Sequence, residues 1–395
     1  MSKSYFTIVI VLFLLSLFLF AKCDGCVGPK PVGIPSVIEE PENSAYQTVN
    51  MYIESSGSMV GYFNGNSQIK EILKQYYDRI SEDKSISDTV TLNFINQSVE
   101  EYKNDINSYL AVAASKCTAS YTKLDEILSN VMANVSDSTT DILISDYCFT
   151  SNNGSFQTAE SGITRIFTES ISKNTNLSVS IFKYISDFKG KYFPGGIKCN
   201  QPRPFYIWIF GNKKQLKKLT CLKIKNANCG MLSLQSHTDV PFSIIRRNTD
   251  SARMFDTDGS IKVEEWNKDR NPVRGDVSYS LLIEADMSNI ILSNEELLNS
   301  GNYSISEGYE IVDISNKTES IYDFIISTRK PSPGEITLSY EIPELPEWVV
   351  KSNYEGSGIP SDSTTLGVKY LIEGVYDAYN NRRDNNYFTI DINLK

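Results

Sequence analysis

From Val49 onward the chain alternates between two hydrophobic periods, and no other feature narrows its possible folds as much. Short apolar stretches at Val49–Ile53, Val90–Ile95, Ile142–Ile144, Leu177–Tyr184 and Phe205–Phe210 have the length and composition of strands. Between the first two, Ile69, Ile72, Leu73, Tyr76, Tyr77 and Ile80 fall on one stripe of an amphipathic helix. Leu124, Ile127, Leu128, Val131, Met132 and Val135 repeat that spacing, Ile163, Ile166, Phe167 and Ile171 repeat it more weakly, and a helix with a basic outer face begins near Lys213. Ile142-Leu143-Ile144 is wholly apolar, as are strands buried on both faces of a parallel sheet. The alternation predicts an α/β fold, a doubly wound and mostly parallel sheet with helices on both faces.

Past about Ser233 the period changes. Strand patterns at Val277–Ile283, Tyr309–Ile314, Ile321–Ile326 and Glu335–Ile342, punctuated by Pro and Gly, predict a β-rich, sandwich-like region. One helix interrupts it, with a stripe at Val368, Leu371, Ile372, Val375 and Tyr379, and a closing strand at Phe388–Leu394 is expected to rejoin the sheet. The expected domains are therefore residues 45–232, α/β, and residues 233–395, β-rich.

Residues 1–22 read as a secretory signal: Lys3, an apolar run from Tyr5 to Ala21, then Lys22 and Cys23. The run is at the lower limit for a membrane-spanning helix, which leaves plain secretion and an uncleaved anchor as alternatives. Leu19-Phe20-Ala21-Lys22-Cys23 resembles a loose bacterial lipobox, in which Cys23 becomes the lipidated first residue; Lys22 departs from the small residue usual there. Residues 23–44, with Pro29, Pro31, Pro35 and Pro41, read as a semi-extended tether. The expected location is the cell envelope, with the body exported and held at a membrane.

Composition removes several functional classes. A formal charge of −10 opposes binding to a nucleic-acid backbone. A single histidine, His237, disfavours zinc and iron sites that need two, and it stands in a Ser-His-Thr stretch with no identifiable partner. Chemistry carried by carboxylates and hydroxyls survives.

Such groups gather in three places. The first strand ends in Glu54-Ser55-Ser56-Gly57-Ser58-Met59, a carboxylate with hydroxyls two and four residues on. The strand at Ile142–Ser145 delivers Asp146, and Thr122 opens the helix between them. In a doubly wound sheet, ligands bind at the C-terminal ends of strands. Each residue also has a plainer reading. Thr122 with Asp125 spells a Thr-x-x-Asp capping box, Ser56-Gly57-Ser58 suits a simple turn, and Asp146 suits the acid of a following turn.

These residues resemble the metal-ion-dependent adhesion site of von Willebrand factor A domains, an Asp-x-Ser-x-Ser loop followed by Gly-Ser-Met-type residues, a later threonine and a later aspartate. Ser56 and Ser58 match the serines, Thr122 the threonine and Asp146 the aspartate; Glu54 stands where the family has aspartate. The resemblance covers about Tyr46 to Leu222. It implies a Mg²⁺ site, or Ca²⁺ or Mn²⁺, built from hard oxygen ligands and completed by an acidic side chain of a protein partner. Cys117 and Cys148 would then lie on loops around the site, and a disulfide between them is expected; Cys221 could bridge to Cys229, with Cys199 as competitor.

Arg274-Gly275-Asp276 reads as a turn, and Asp256-Thr257-Asp258-Gly259-Ser260 as a hairpin without the full calcium-loop spacing. The expected function is a membrane-tethered, exported adhesion-type protein, not an enzyme. A metal-free scaffold of an envelope complex is the alternative, and a metal-dependent hydrolase is the third, disfavoured because no activated nucleophile or separate base is visible.

Overall fold

The structure is a computed structural model. It describes residues 47–395 except 121, 150–154, 194, 223, 226–229, 246–252, 255–258, 260–278 and 381–385. The signal at 1–22, the tether at 23–44 with Cys23, the Arg274-Gly275-Asp276 triplet, the Asp256–Asp258 turn and Cys229 lie outside the described residues. No helix among the described residues is long and apolar enough to cross a membrane.

A seven-stranded sheet organises residues 48–235. Its strands are β1 (Thr48–Glu54), β2 (Thr89–Ile95), β3 (Val99–Tyr102), β4 (Thr139–Ser145), β5 (Leu177–Ser186), β8 (Arg203–Asn212) and β9 (Gly230–Gln235), in the order β3-β2-β1-β4-β8-β5-β9. A small hairpin, β6 (Gly190–Tyr192) with β7 (Ile197–Cys199), lies between β5 and β8. The heart of the sheet, β2-β1-β4, is parallel as the pattern predicts, whereas β3, β8 and β9 run antiparallel to their neighbours. The sheet is therefore mixed. The reason is visible in the connection: parallel strands need a crossover, usually a helix, and no helical stripe separates β5 from β8.

Helices cover both faces. On one side α2 (Gln68–Glu82), α3 (Ile106–Lys116) and α6 (Lys213–Thr220) bury Ile69, Ile72, Leu110 and Leu216 against Met51, Ile53, Ile144 and Ile207. The short α1 (Val60–Phe63) joins that layer through Tyr62 and Phe63. On the other, α4 (Leu124–Asn134) and α5 (Phe156–Lys173) bury Leu128, Val131, Ile163 and Phe167 against Leu143, Val179, Trp208 and Phe210. Alternate residues of each strand thus serve opposite cores, as the period of two requires. Helix α3, which no apolar stripe in the sequence marks, begins at a recognisable N-cap: Asp105 accepts hydrogen bonds from the backbone N–H of Asn107 and Ser108.

The remaining strands form two facing sheets. One has the order β10 (Thr238–Asp239), β20 (Asn386–Leu394), β17 (Gly334–Glu341), β14 (Tyr303–Ile305). The other runs β11 (Phe242–Ile245), β13 (Tyr279–Asp286), β16 (Ile321–Thr328), β15 (Glu310–Asn316), with β12 (Arg253–Met254) beside β13. Leu281, Ile283, Phe324 and Ile326 meet Ile336, Leu338, Phe388 and Ile390 in a shared core. A short helix, α7 (Asn294–Leu298), starts with a complete capping box between Ser293 and Glu296.

Residues 345–380 leave this sandwich and return to the first sheet. Helix α8 (Glu347–Lys351) precedes a strap whose ends, β18 (Asn353–Tyr354) and β19 (Thr365–Leu366), pair in parallel. Buried Arg203 donates to the carbonyls of Pro360, Ser361 and Thr364, each at 2.8 Å, and buried Lys183 donates to Ser352 Oγ and Ser363 O at 2.7 Å. Helix α9 (Val368–Asn380) then packs its Leu371, Ile372, Val375 and Tyr379 stripe on the same core as α5. The sequence places this helix within the β-rich region; its apolar stripe is buried on the α/β layer instead.

Candidate functional site

Because β1 and β4 are parallel neighbours, with Ile53 opposite Ile144, both chains leave the sheet at the same edge. Glu54 is the last residue of β1, Ser145 the last of β4, and Asp146 follows it. The serine loop is pinned by backbone hydrogen bonds: Ser55 N to Ile95 O at 2.9 Å, Gly57 N to Ala119 O at 2.8 Å and Ala119 N to Ser55 O at 3.1 Å. The last two tie it to the segment that leads to Thr122.

The side chains then converge. Thr122 Oγ1 donates to Glu54 Oε1 at 2.6 Å and Ser145 Oγ donates to Glu54 Oε2 at 3.1 Å. Ser56 Oγ and Ser58 Oγ lie 2.8 Å apart. Asp146 Oδ1 accepts from the backbone N–H of Cys148 at 3.1 Å. Glu54 and Asp146 are 1% and 8% exposed, so two carboxylates share a site largely withdrawn from bulk solvent. Burial raises the Glu54 pKa to about 7, reinforced by the charge of Asp146 and opposed by the hydroxyls of Thr122, Ser56 and Ser145. Burial likewise pushes Asp146 up, against the Cys148 N–H, the Ser58 hydroxyl and the charge of Arg203.

All five residues singled out from the sequence, Glu54, Ser56, Ser58, Thr122 and Asp146, line one cavity of about 680 Å³. The donor set is two carboxylates and several hydroxyls, all hard oxygens, which suits Mg²⁺, Ca²⁺ or Mn²⁺ and not zinc. Among the described residues no group of three or more His, Cys, Asp and Glu side chains gathers to hold a metal, so a cation here would need hydroxyl, carbonyl or water oxygens beside the two carboxylates. A divalent ion between Glu54 and Asp146 would compensate the burial of the two carboxylates, which is the main cause of their raised proton affinity, and with this hard-oxygen donor set the residues fit the cation.

Two contributors escaped the sequence reading. Ser145 sits at the end of an apolar strand and matches no motif, yet it holds the far oxygen of Glu54 and also accepts from Tyr147 N at 2.9 Å. Tyr147 has φ +47°, alone among the described non-glycine residues in the left-handed region. That conformation costs about 1–2 kcal/mol. It turns the chain sharply after Asp146, and stacking of Tyr147 on Trp208, centroids 4.3 Å apart, helps to hold it.

Two expectations need correction. Thr122 does not cap the following helix: Lys123 holds the cap position without a side-chain cap bond, and the Thr122 hydroxyl is committed to Glu54. Cys117 and Cys148 do not form the expected disulfide; both are free thiols, as are Cys199 and Cys221. Cys117 Sγ faces the carbonyl of Glu54 at 3.8 Å while Cys148 Sγ turns to that of Phe193 at 2.9 Å, so their side chains are held by different partners. Burial raises both thiol pKa values well above the usual range. Non-reducing peptide mapping is accordingly expected to recover each as a free thiol, and a Cys117–Cys148 linked peptide would show otherwise.

The lysine-rich helix lies away from this site. Helix α6 starts from the end of β8 that lies opposite the beginning of β4, the edge away from Asp146. Lys213, Lys217 and Lys218 donate to Thr238 Oγ1, Met287 O and Ser85 O. His237 sits against Thr389 Oγ1 at 3.4 Å, far from these loops in the sandwich.

Comparison with known proteins finds no matching family, no similar characterised protein and no similar solved structure.

Proposed function

We propose that these loops form a divalent-cation site of the kind found in von Willebrand factor A domains, and that the protein is an exported, membrane-tethered binding protein whose cation engages an acidic side chain of a protein partner. The observation that carries this reading is the convergence of Glu54, Ser56, Ser58, Thr122 and Asp146 on one cavity at the C-terminal ends of parallel β1 and β4. Ser56 and Ser58 would supply neutral oxygens directly to the ion, and Asp146 the charge. Neutral ligands leave the ion electron-poor and receptive to a further carboxylate. Glu54, longer than aspartate by one methylene, orients the Thr122 and Ser145 hydroxyls. The antiparallel strand β8 between β4 and β5 departs from a uniformly parallel sheet, but it lies beyond β4 and leaves the β1–β4 edge intact. Lipid on Cys23 would supply the tether.

Calorimetric titration with Mg²⁺, Ca²⁺ and Mn²⁺ tests the site. Wild type is expected to bind at least one of them below millimolar concentration, and Ser56→Ala to bind at least tenfold more weakly. Absence of binding at millimolar metal would overturn the reading. It would favour the metal-free scaffold instead, for which one feature speaks: Thr122 and Ser145 already satisfy both oxygens of Glu54 without an ion. No turnover of phosphate or sulfate esters is expected with added metal.

A further inference from the structure

The cavity is far larger than a cation and one carboxylate require, and its walls are of two kinds. At about 680 Å³ it falls in the range of pockets that enclose whole small ligands. A carboxylate group takes roughly the room of three waters, about 90 Å³ at about 30 Å³ each. Beyond the polar end formed by Glu54, Ser56, Ser58 and Asp146, the side chains of Leu124, Phe149, Ile163, Phe193 and Leu371 contribute apolar surface to the wall, beside polar positions that include Ser120, Lys123, Asp125, Ser155 and Thr158. The apolar side chains come from α4, the segment after β4, α5, the β6–β7 turn and α9. An apolar annex therefore adjoins the cation site, and α9 contributes to it only because it returns from the C-terminal region.

Charge selects the other half of the ligand. The first turns of two helices, Leu124–Asp125 of α4 and Thr158–Ala159 of α5, line the same cavity. Helix N-termini favour an anion, whereas buried Glu54 and Asp146 repel one. A bound divalent cation followed by a carboxylate reconciles both demands.

We infer that the cavity takes, from the partner protein, an acidic side chain together with a large apolar side chain next to it, the carboxylate on the cation and the apolar group in the annex. This rests on the cation reading above and adds its specificity. A partner presenting the acid alone leaves the annex filled with water against apolar walls, and burying a ring or branched chain there supplies the missing affinity.

Gly162 is a wall position outside the proposed cation ligands that accepts a side chain without steric clash. It lies on α5 in the cavity wall, and a Cβ added there meets no atom within 4 Å. The experiment measures cation binding by calorimetry, then, at saturating cation, titrates acetyl-Phe-Asp-amide, acetyl-Ala-Asp-amide and acetyl-Phe-Asn-amide into wild type and Gly162→Leu. In wild type the Phe-Asp peptide is expected to bind at least tenfold more tightly than either of the others. In Gly162→Leu, cation affinity is expected to stay within twofold of wild type while the preference for Phe-Asp over Ala-Asp falls below threefold. Cation binding with equal affinity for Phe-Asp and Ala-Asp would overturn the annex and leave the cation site standing, as would an undiminished preference in a Gly162→Leu protein that binds cation normally. Failure to bind any cation would overturn the underlying reading and this one with it.

Discussion

Replacing Asp141 with asparagine is expected to stabilise the protein at pH 8 and to flatten the fall in stability expected of wild type between pH 4 and pH 7. Asp141 is fully buried at the start of β4, opposite Asn50 of β1. Its Oδ1 accepts from Asn50 Nδ2 at 2.6 Å, whereas its Oδ2 has no hydrogen-bond partner. Asn50 is itself fixed by Thr91, and Thr91 by Asn93, so the network orients one donor toward Asp141 and offers nothing to the second oxygen. Burial consequently lifts the Asp141 pKa from 3.8 to about 7, with the Asn50 bond opposing.

The folded state thus binds the proton more tightly than the unfolded one. Stability from this group is complete below about pH 4 and is lost as pH rises through about 7. A shift of about three pKa units corresponds to about 4 kcal/mol. The Asp141→Asn side chain would keep an acceptor for Asn50 and carry no charge, so the variant should gain about 2–4 kcal/mol at pH 8 and little at pH 4. Denaturant unfolding of both proteins across that range, in the presence of a chelator, measures the difference directly. A difference independent of pH would show that Asp141 is not the titrating group. Glu54 contributes a second slope of the same sign, because its pKa is also raised to about 7. On the proposed cation reading, added Mg²⁺ should suppress that component and leave the one from Asp141, which stands at the other end of β4 from Asp146.

The second large effect is expected from Gly374→Leu. Helix α9 crosses α5 so closely that a Cβ at Gly374 would stand 2.6 Å from the backbone oxygen of Glu160 and 3.0 Å from Ile163 Cβ. A backbone oxygen cannot step aside as a flexible side chain can, so leucine must push the two helices apart. That separation strips contact from Leu371, Ile372 and Val375, all nearly fully buried. A loss of about 3 kcal/mol is expected, the upper end for overpacking a rigid site. Alanine at the same position should also destabilise, although in an exposed helix it would add about 0.5–1 kcal/mol relative to glycine. Denaturant midpoints at constant slope test both substitutions. Stability equal to wild type in Gly374→Leu would mean that α9 does not pack on α5 in this way. Because Leu371 lines the cavity, the leucine variant should in addition weaken the preference for the Phe-Asp peptide.

Much of the α/β layer was legible because its signals are local. The stripe from Ile69 to Ile80 became Gln68–Glu82, and that from Leu124 to Val135 became Leu124–Asn134. The strands at Val49–Ile53 and Ile142–Ile144 appear as Thr48–Glu54 and Thr139–Ser145. Glu54, Ser56, Ser58, Thr122 and Asp146 could be named because each stands at the end of a strand or the start of a helix, where side chains reach a sheet edge. Ser145 could not, since nothing in Ile142–Ser145 marks its hydroxyl as turned toward a carboxylate delivered by a different strand.

Backbone propensity and hydrophobic period, which act over a few residues, marked most of the long strands and helices and the residues at their ends, although not α3 or the short strands β3 and β9. Only the tertiary structure decided three further matters: the antiparallel insertion of β8, the separate partners of Cys117 and Cys148, and the return of α9 to the first sheet. Each depends on which surfaces meet across long stretches of chain. An amphipathic stripe states that a face must be buried, and a sheet with one uncovered face supplies the place; the stripe at Val368–Tyr379 does not encode that its partner is Ile163 and Phe167, far earlier in the chain.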